Sequence, residues 1–304
     1  MRLASLLHSP GPPHAFALEG GRIVYGRLSR SRDRLVAVRP RALPHGWFEL
    51  GPVGVLHVDR ATLEGALAGL VAELEKVPAR ASLVVPNCWV RSLVVEVGEL
   101  PRNRAEAEEL LRWKLKKLLP CRPEEARLDF VPLPDNGRVW TVLGLEKPLA
   151  VTEEVFAGRG IAVGRLEPVA LTLLSLLPPD PAPQLLLSLD PRTFAAILVG
   201  NGAVRLVRHK LLPGAGAAAE AAVLRELAAT LAYVRERQNP AGPLTVLVAT
   251  DVETLRSSVL QWAEAQEGVE VRPLTVRDPR LGEGGEVEPV TAWALLAAGM
   301  RVDA

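Results

Sequence analysis

Side chains able to do chemistry are few in this 304-residue chain, and their spacing is poor. The five histidines, His8, His14, His45, His57 and His209, are scattered without metal-ligand spacing, and a surface or hydrogen-bonded core role is the plainer reading of each. Cys88 and Cys121 are the only cysteines, too few for a disulfide scaffold and not spaced for zinc, so a reducing compartment fits them. No nucleophile elbow, Walker-type loop or Cys-x-x-Cys motif occurs. Glu124, Glu125 and Asp129 could pair as acid and base, yet they fall on an expected turn and strand. Trp47, Trp89 and Trp140 lack the basic interleaving of a nucleic-acid platform.

The best-defined element lies in residues 100–130, LPRNRAEAEELLRWKLKKLLPCRPEEARLDF. Asn103 can cap a helix, Glu106 can close a capping box, and Pro101 keeps the preceding chain extended. Glu106, Glu108 and Glu109 lie near the positive helix end, Lys114, Lys116 and Lys117 near the negative end, and Pro120 stops the helix. At about 100° per residue, Ala107, Leu110, Leu111, Leu115 and Leu118 share a face, with Glu108 and Arg112 as an i, i+4 pair elsewhere. Lys114 falls inside the apolar arc, so either its stem reaches back to water or this face borders a groove.

With 48% hydrophobic residues the chain can bury a large core, and its length suits about two domains. Its 36 basic and 35 acidic residues nearly cancel, which argues against binding to nucleic acid or directly to anionic lipid and favours proteins or small molecules as partners. The opening MRLASLLHSPGPP is broken by Pro10, Pro12 and Pro13 and predicts no export signal, and no apolar run reaches the length of a membrane span.

Short strands are expected at 14–18, 22–28 and 35–38, then a helix over 61–77 and a strand at 82–85. Residues 91–97, the capped helix, 127–133 and 138–145 read as an inserted βαββ unit with a turn at Asn136 and Gly137. A helix at 148–157, a strand at 161–166 and a helix at 168–176 lead to LLPPDPAPQ, whose prolines mark a boundary near Pro181. The same order then returns: strands at 185–189, 194–199 and 204–211 with a Gly200-Asn201-Gly202 turn, a helix at 217–237 and a strand at 244–248. A helix at 252–266, a strand at 269–273 and a helix at 290–300 finish the chain. The expected fold is therefore α/β, a duplicated βββαβα arrangement of the actin-like, ribonuclease H type. Its expected domains are 1–180, with the insertion at about 86–146, and 181–304.

Leu100, Pro101, the acidic helix with Trp113, Pro120 and the run Leu128, Asp129, Phe130 resemble the PilM proteins of type IV pilus assembly. Lys114 stands where that family has a Glu, and Cys121 replaces an aromatic. The resemblance spans nearly the whole chain, strongest over 82–130 and weaker at the two hairpins and in the closing segment from Trp293 to Arg301. It implies the same actin-like architecture.

In actin-like proteins two hairpin turns hold nucleotide phosphates and a glycine pair accepts the adenosine, because backbone N–H groups must come close. Here Glu19 and Gly21 match the first turn, but Arg22 stands in place of a hydroxyl. Asp190 and Thr193 match the second, but Arg192 replaces the glycine. The third stretch, Leu247 to Asp251, has no glycine. Pro213 and Gly214 lead almost directly into the next helix, where the family carries a helical subdomain walling the cleft. Asp190 can simply pair with Arg192 or cap its turn. The expectation is a vestigial site without ATP hydrolysis or a bound cofactor, with Mg-ATP the ligand if the cleft works.

The resemblance implies a non-catalytic cytoplasmic adaptor, peripheral to the inner membrane, that binds the cytoplasmic tail of a PilN-like membrane protein and meets other pilus platform components. Leu111, Trp113, Lys114 and Leu115 are the candidate partner residues. The alternatives are an actin-like ATPase or kinase using Glu19, Asp190 and Thr193, and the cytoplasmic adaptor of type II secretion.

Overall fold

The computed structural model describes residues 11–117, 119–133, 137–180, 182–214, 216–238, 243–276 and 287–300. His8, Leu118, Asn136, Pro181 and Arg301, each used above, lie outside them. Strands β1 (His14–Leu18), β2 (Arg22–Leu28) and β3 (Leu35–Ala42) form a meander, followed by a small hairpin of β4 (Phe48–Leu50) and β5 (Val55–Val58). Helix α1 (Arg60–Ala72), capped by Asp59, leads to β6 (Arg80–Val85). The inserted unit follows as β7 (Arg91–Glu96), α2 (Arg104–Leu115), β8 (Ala126–Pro132) and β9 (Arg138–Leu145). After α3 (Glu146–Ala157), β10 (Ala162–Pro168) and α4 (Val169–Leu173), the second series runs β11 (Gln184–Asp190), β12 (Thr193–Gly200), β13 (Ala203–Leu211), α5 (Ala217–Gln238) and β14 (Leu244–Ala249). It closes with α6 (Glu253–Ala263), β15 (Val269–Pro273) and α7 (Pro289–Gly299).

Both large sheets have five strands and the same order, β10-β6-β1-β2-β3 and β13-β12-β11-β14-β15. In each, a three-stranded antiparallel meander continues through two parallel strands. Helices cover both faces of the second sheet's centre, which is why β12 and β14 are mostly apolar and are buried along their length. Asn201 and Gly202 both take positive φ, at 53° and 68°, the left-handed pair that a two-residue hairpin turn requires.

Two features differ from the sequence-based expectation. The β4–β5 hairpin, unexpected because it is short and lacks alternation, brings Trp47 against Trp89 in the first core. Helix α7, apolar on every side, packs on β1, β2 and β6 of the first sheet although it follows the second series. One hydrophobic cluster thus joins Val24 and Leu28, Leu186 and Ile197, and Leu295 and Leu296.

In the inserted unit α2 covers a three-stranded sheet of order β7-β9-β8. Asn103 Oδ1 accepts the N–H groups of Ala105 and Glu106 at 2.8 and 3.4 Å, as its position before the acidic turn predicts. Arg112 holds Glu108 at 2.7 Å and donates to the carbonyls of Pro123 and Ala126, tying the helix to the turn before β8. Asn103→Ala is expected to cost about 1 kcal/mol, read as a small fall in thermal midpoint.

Candidate functional site

Two places gather side chains that could act on a ligand: the meeting point of the strand turns, and a groove on the inserted unit. At the first, the β1–β2 turn holds Glu19, whose Oε2 accepts from Arg22 Nε at 2.5 Å and whose other oxygen accepts from the Thr291 hydroxyl. The Glu19 carbonyl accepts from Trp47 Nε1 at 3.0 Å. Asp251, at the end of β14, accepts the Val290 N–H at 3.1 Å in the first turn of α7. Burial, reinforced by Glu288 and Glu19, pushes its carboxyl up to about 6. The positive end of α7, a natural anion seat, is therefore occupied by two of the chain's own carboxylates.

On the β11–β12 turn, Asp190 accepts the Arg192 backbone N–H at 2.8 Å, the turn-capping role open to it from sequence. Burial pushes this carboxyl, too, up to about 6. Thr193 is fully buried, with its hydroxyl beside the Asp190 carboxyl and the Cys88 thiol. Beside it burial, aided by Asp190, holds the Cys88 thiol at about 12, so this thiol stays protonated and unreactive at neutral pH. Gly21 has open space around its missing side chain, so no close backbone approach requires glycine there. Between β13 and α5 the chain passes through residues 212–216 only.

A residue that sequence reasoning passed over links the two sheets. Asn87, 2% exposed, donates from Nδ2 to Ser188 Oγ at 3.1 Å and accepts the Ala170 N–H on Oδ1 at 2.8 Å. Its carbonyl accepts from His209 Nε2 at 3.2 Å, which puts the imidazole proton on that nitrogen. Its only signal in the sequence is a lone amide at the end of an apolar run, Val84, Val85, Pro86, Asn87.

His209 is held neutral by burial, down to about 4 against an ordinary 6.5, with Arg91 adding to the effect. Its stabilising contribution is complete above 6.5 and is lost as pH falls toward 4, because only the unfolded chain takes up the proton. His209→Gln is expected to reduce the unfolding free energy lost between pH 6.5 and 4 by about 2 kcal/mol, after allowing for the ring's residual exposure, as read from denaturant unfolding at both pH values.

The groove lies between the start of α2 and the strands beneath it, with a volume of about 1030 Å³. Val97, Leu100, Pro101, Phe130, Leu133 and Val139 give it apolar walls, and Arg102, Arg104 and Arg138 line it as well. Arg104 stands over the Phe130 ring at 4.9 Å and pairs with Asp129 at 2.6 Å. Asp129 and Glu125 are engaged by Arg104 and Arg122, not by each other. Of the candidate partner residues, Leu111 and Leu115 are buried in the insert's own core. Trp113 is 67% exposed, Lys114 lies over its ring at 5.7 Å, and neither lines the groove.

No protein-family model matches the sequence, and no curated protein does. Among solved structures, a chain of the PilM-PilN type IV pilus biogenesis complex superposes with a TM-score of 0.68 at 20% identity, covering 95% of this chain and 98% of that one. A protein of actin-like ATPase fold and unknown function from Bacteroides thetaiotaomicron follows at 0.50, 11% identity, and 85% and 90% coverage. The fold is actin-like. The cytoplasmic domain of EpsL, an inner membrane component of the type II secretion system of Vibrio cholerae, shares this actin-like arrangement at 0.52 and 11% identity, with 94% and 93% coverage. The resemblance carried by residues 100–130 thus holds at the level of the fold. No helix among the described residues of this actin-like chain is long and apolar enough to cross a membrane.

Proposed function

We propose that this actin-like chain is a non-catalytic adaptor of a type IV pilus inner-membrane platform, acting on the cytoplasmic face and taking the cytoplasmic tail of a PilN-like membrane protein into the groove of the inserted unit. The observation that carries the reading is the groove itself, lined by apolar side chains together with Glu99, Arg102, Arg104 and Arg138, in a fold similar to a chain of a PilM-PilN complex. Apolar walls accept anchor side chains of an extended segment, and the arginine donors take its backbone carbonyls. The non-catalytic part of this reading is supported by the strand-turn cluster, whose acidic side chains already hold Arg22, Thr291, the Val290 N–H and the Arg192 N–H. Arg22 stands where a phosphate-binding turn is expected to carry a hydroxyl, and Arg192 where it is expected to carry a glycine. The proposed domains remain 1–180 and 181–304, with α7 crossing back to the first sheet.

Hydrogen exchange with and without the tail peptide tests the groove. Protection is expected in residues 97–107 and 130–139; protection confined to the α7 N-terminus and the two strand turns would contradict the reading.

The likeness to EpsL favours, as a second reading, the same adaptor role in a type II secretion platform. Titrating tails from both systems separates the two, the tighter one naming the platform.

A further inference from the structure

We infer that the uncovered end of the first sheet is a binding site for a phosphate-type anion, separate from both the strand turns and the insert groove. The strand register builds it. His14 lies opposite Arg27 across β1 and β2, and Tyr25 opposite Arg39 across β2 and β3, so all four side chains project from one face. Helix α1 covers that face farther along but ends at Ala72, and residues 73–80 wall the space it leaves. The resulting cavity has a volume of about 530 Å³, larger than one inorganic phosphate needs and suited to a diphosphate or a phosphomonoester.

Its charge is lopsided. Arg27, Arg39 and Lys76 line it against Glu73 and Glu75, and Glu73 is held by Arg41 at 2.9 Å. The side chains of Arg27 and Lys76 make no hydrogen bond or ion pair among the described residues. At the floor, His14 Nδ1 and the Tyr25 hydroxyl are 2.7 Å apart. Burial and the Arg27 charge together lower the His14 pKa, the response of an imidazole in a cationic pocket lacking its counter-charge. A half-enclosed cationic cavity concentrates anions, and guanidinium groups match the paired oxygens of phosphate.

The test is calorimetric titration of the whole chain with inorganic phosphate and with pyrophosphate, and in parallel with vesicles of phosphatidylglycerol or of phosphatidylcholine. The His14 ring resonances, assigned with His14→Gln, are followed through pH. Saturable binding is expected, with His14 titrating at higher pH in the loaded protein because the anion offsets Arg27. Arg27→Gln and Lys76→Gln, both at exposed positions, should each weaken binding about tenfold with the thermal midpoint unchanged. Binding of the soluble anions assigns a free phosphate ligand; binding only of phosphatidylglycerol vesicles, lost in the same variants, assigns a lipid headgroup. No saturable binding of any of these probes, or binding that both variants leave intact, would overturn the site.

Discussion

Asn87→Ala is expected to lower the stability of the folded chain by about 3 kcal/mol, more than any exposed substitution in the turns around it. The amide sits where the two sheets meet and satisfies partners on both sides, Ser188 on β11 and the Ala170 N–H opening α4. Removing it leaves a buried N–H and a buried hydroxyl without a partner, and each orphaned group costs about 1–3 kcal/mol. Denaturant unfolding followed by tryptophan fluorescence and by far-ultraviolet circular dichroism measures the loss. A double-mutant cycle with Ser188→Ala should show positive coupling between the positions.

Phe130→Ala is expected to weaken tail-peptide binding at least tenfold while Trp113→Ala leaves it unchanged. Phe130 is half-buried and forms one wall of the groove under Arg104, the setting in which one aromatic carries much of the affinity. Trp113 projects from the other side of α2 and is the largest exposed apolar side chain among the described residues. Dissociation constants for both variants measure the contrast. Loss of binding in Trp113→Ala with Phe130→Ala unaffected would move the partner surface to the outer helix face.

Much of the fold was legible because local rules and global topology agree. The Asn103 cap, the Glu108 and Arg112 pair and the Asn201-Gly202 turn are decided by neighbours a few residues away, and each is found as read. The repeated meander-helix-strand order shows in the alternation of apolar runs with turn residues. The seat of α7 did not show, since a helix apolar on every side carries no preferred face to indicate which sheet it covers. At the strand turns, the departures at Arg22 and Arg192 were visible, but Thr291, which takes Glu19, lies 272 residues away in sequence. The groove depends on three strands and a helix start meeting in the order β7-β9-β8, so no run of residues announces it. The candidate residues on α2 illustrate the limit: helical spacing identified the apolar face, and that face is spent on the insert's own core.

On the proposed reading, the groove of the inserted unit and not the strand turns takes this actin-like chain's ligand. Titrating the purified protein by calorimetry with the tail peptide of the PilN-like protein from the same organism, and separately with Mg-ATP, addresses it most directly. The expected result is saturable peptide binding with no heat from Mg-ATP. Tight Mg-ATP binding with a silent peptide would contradict this reading, and would mean that Arg22 leaves Glu19 and joins Arg192 in holding phosphate.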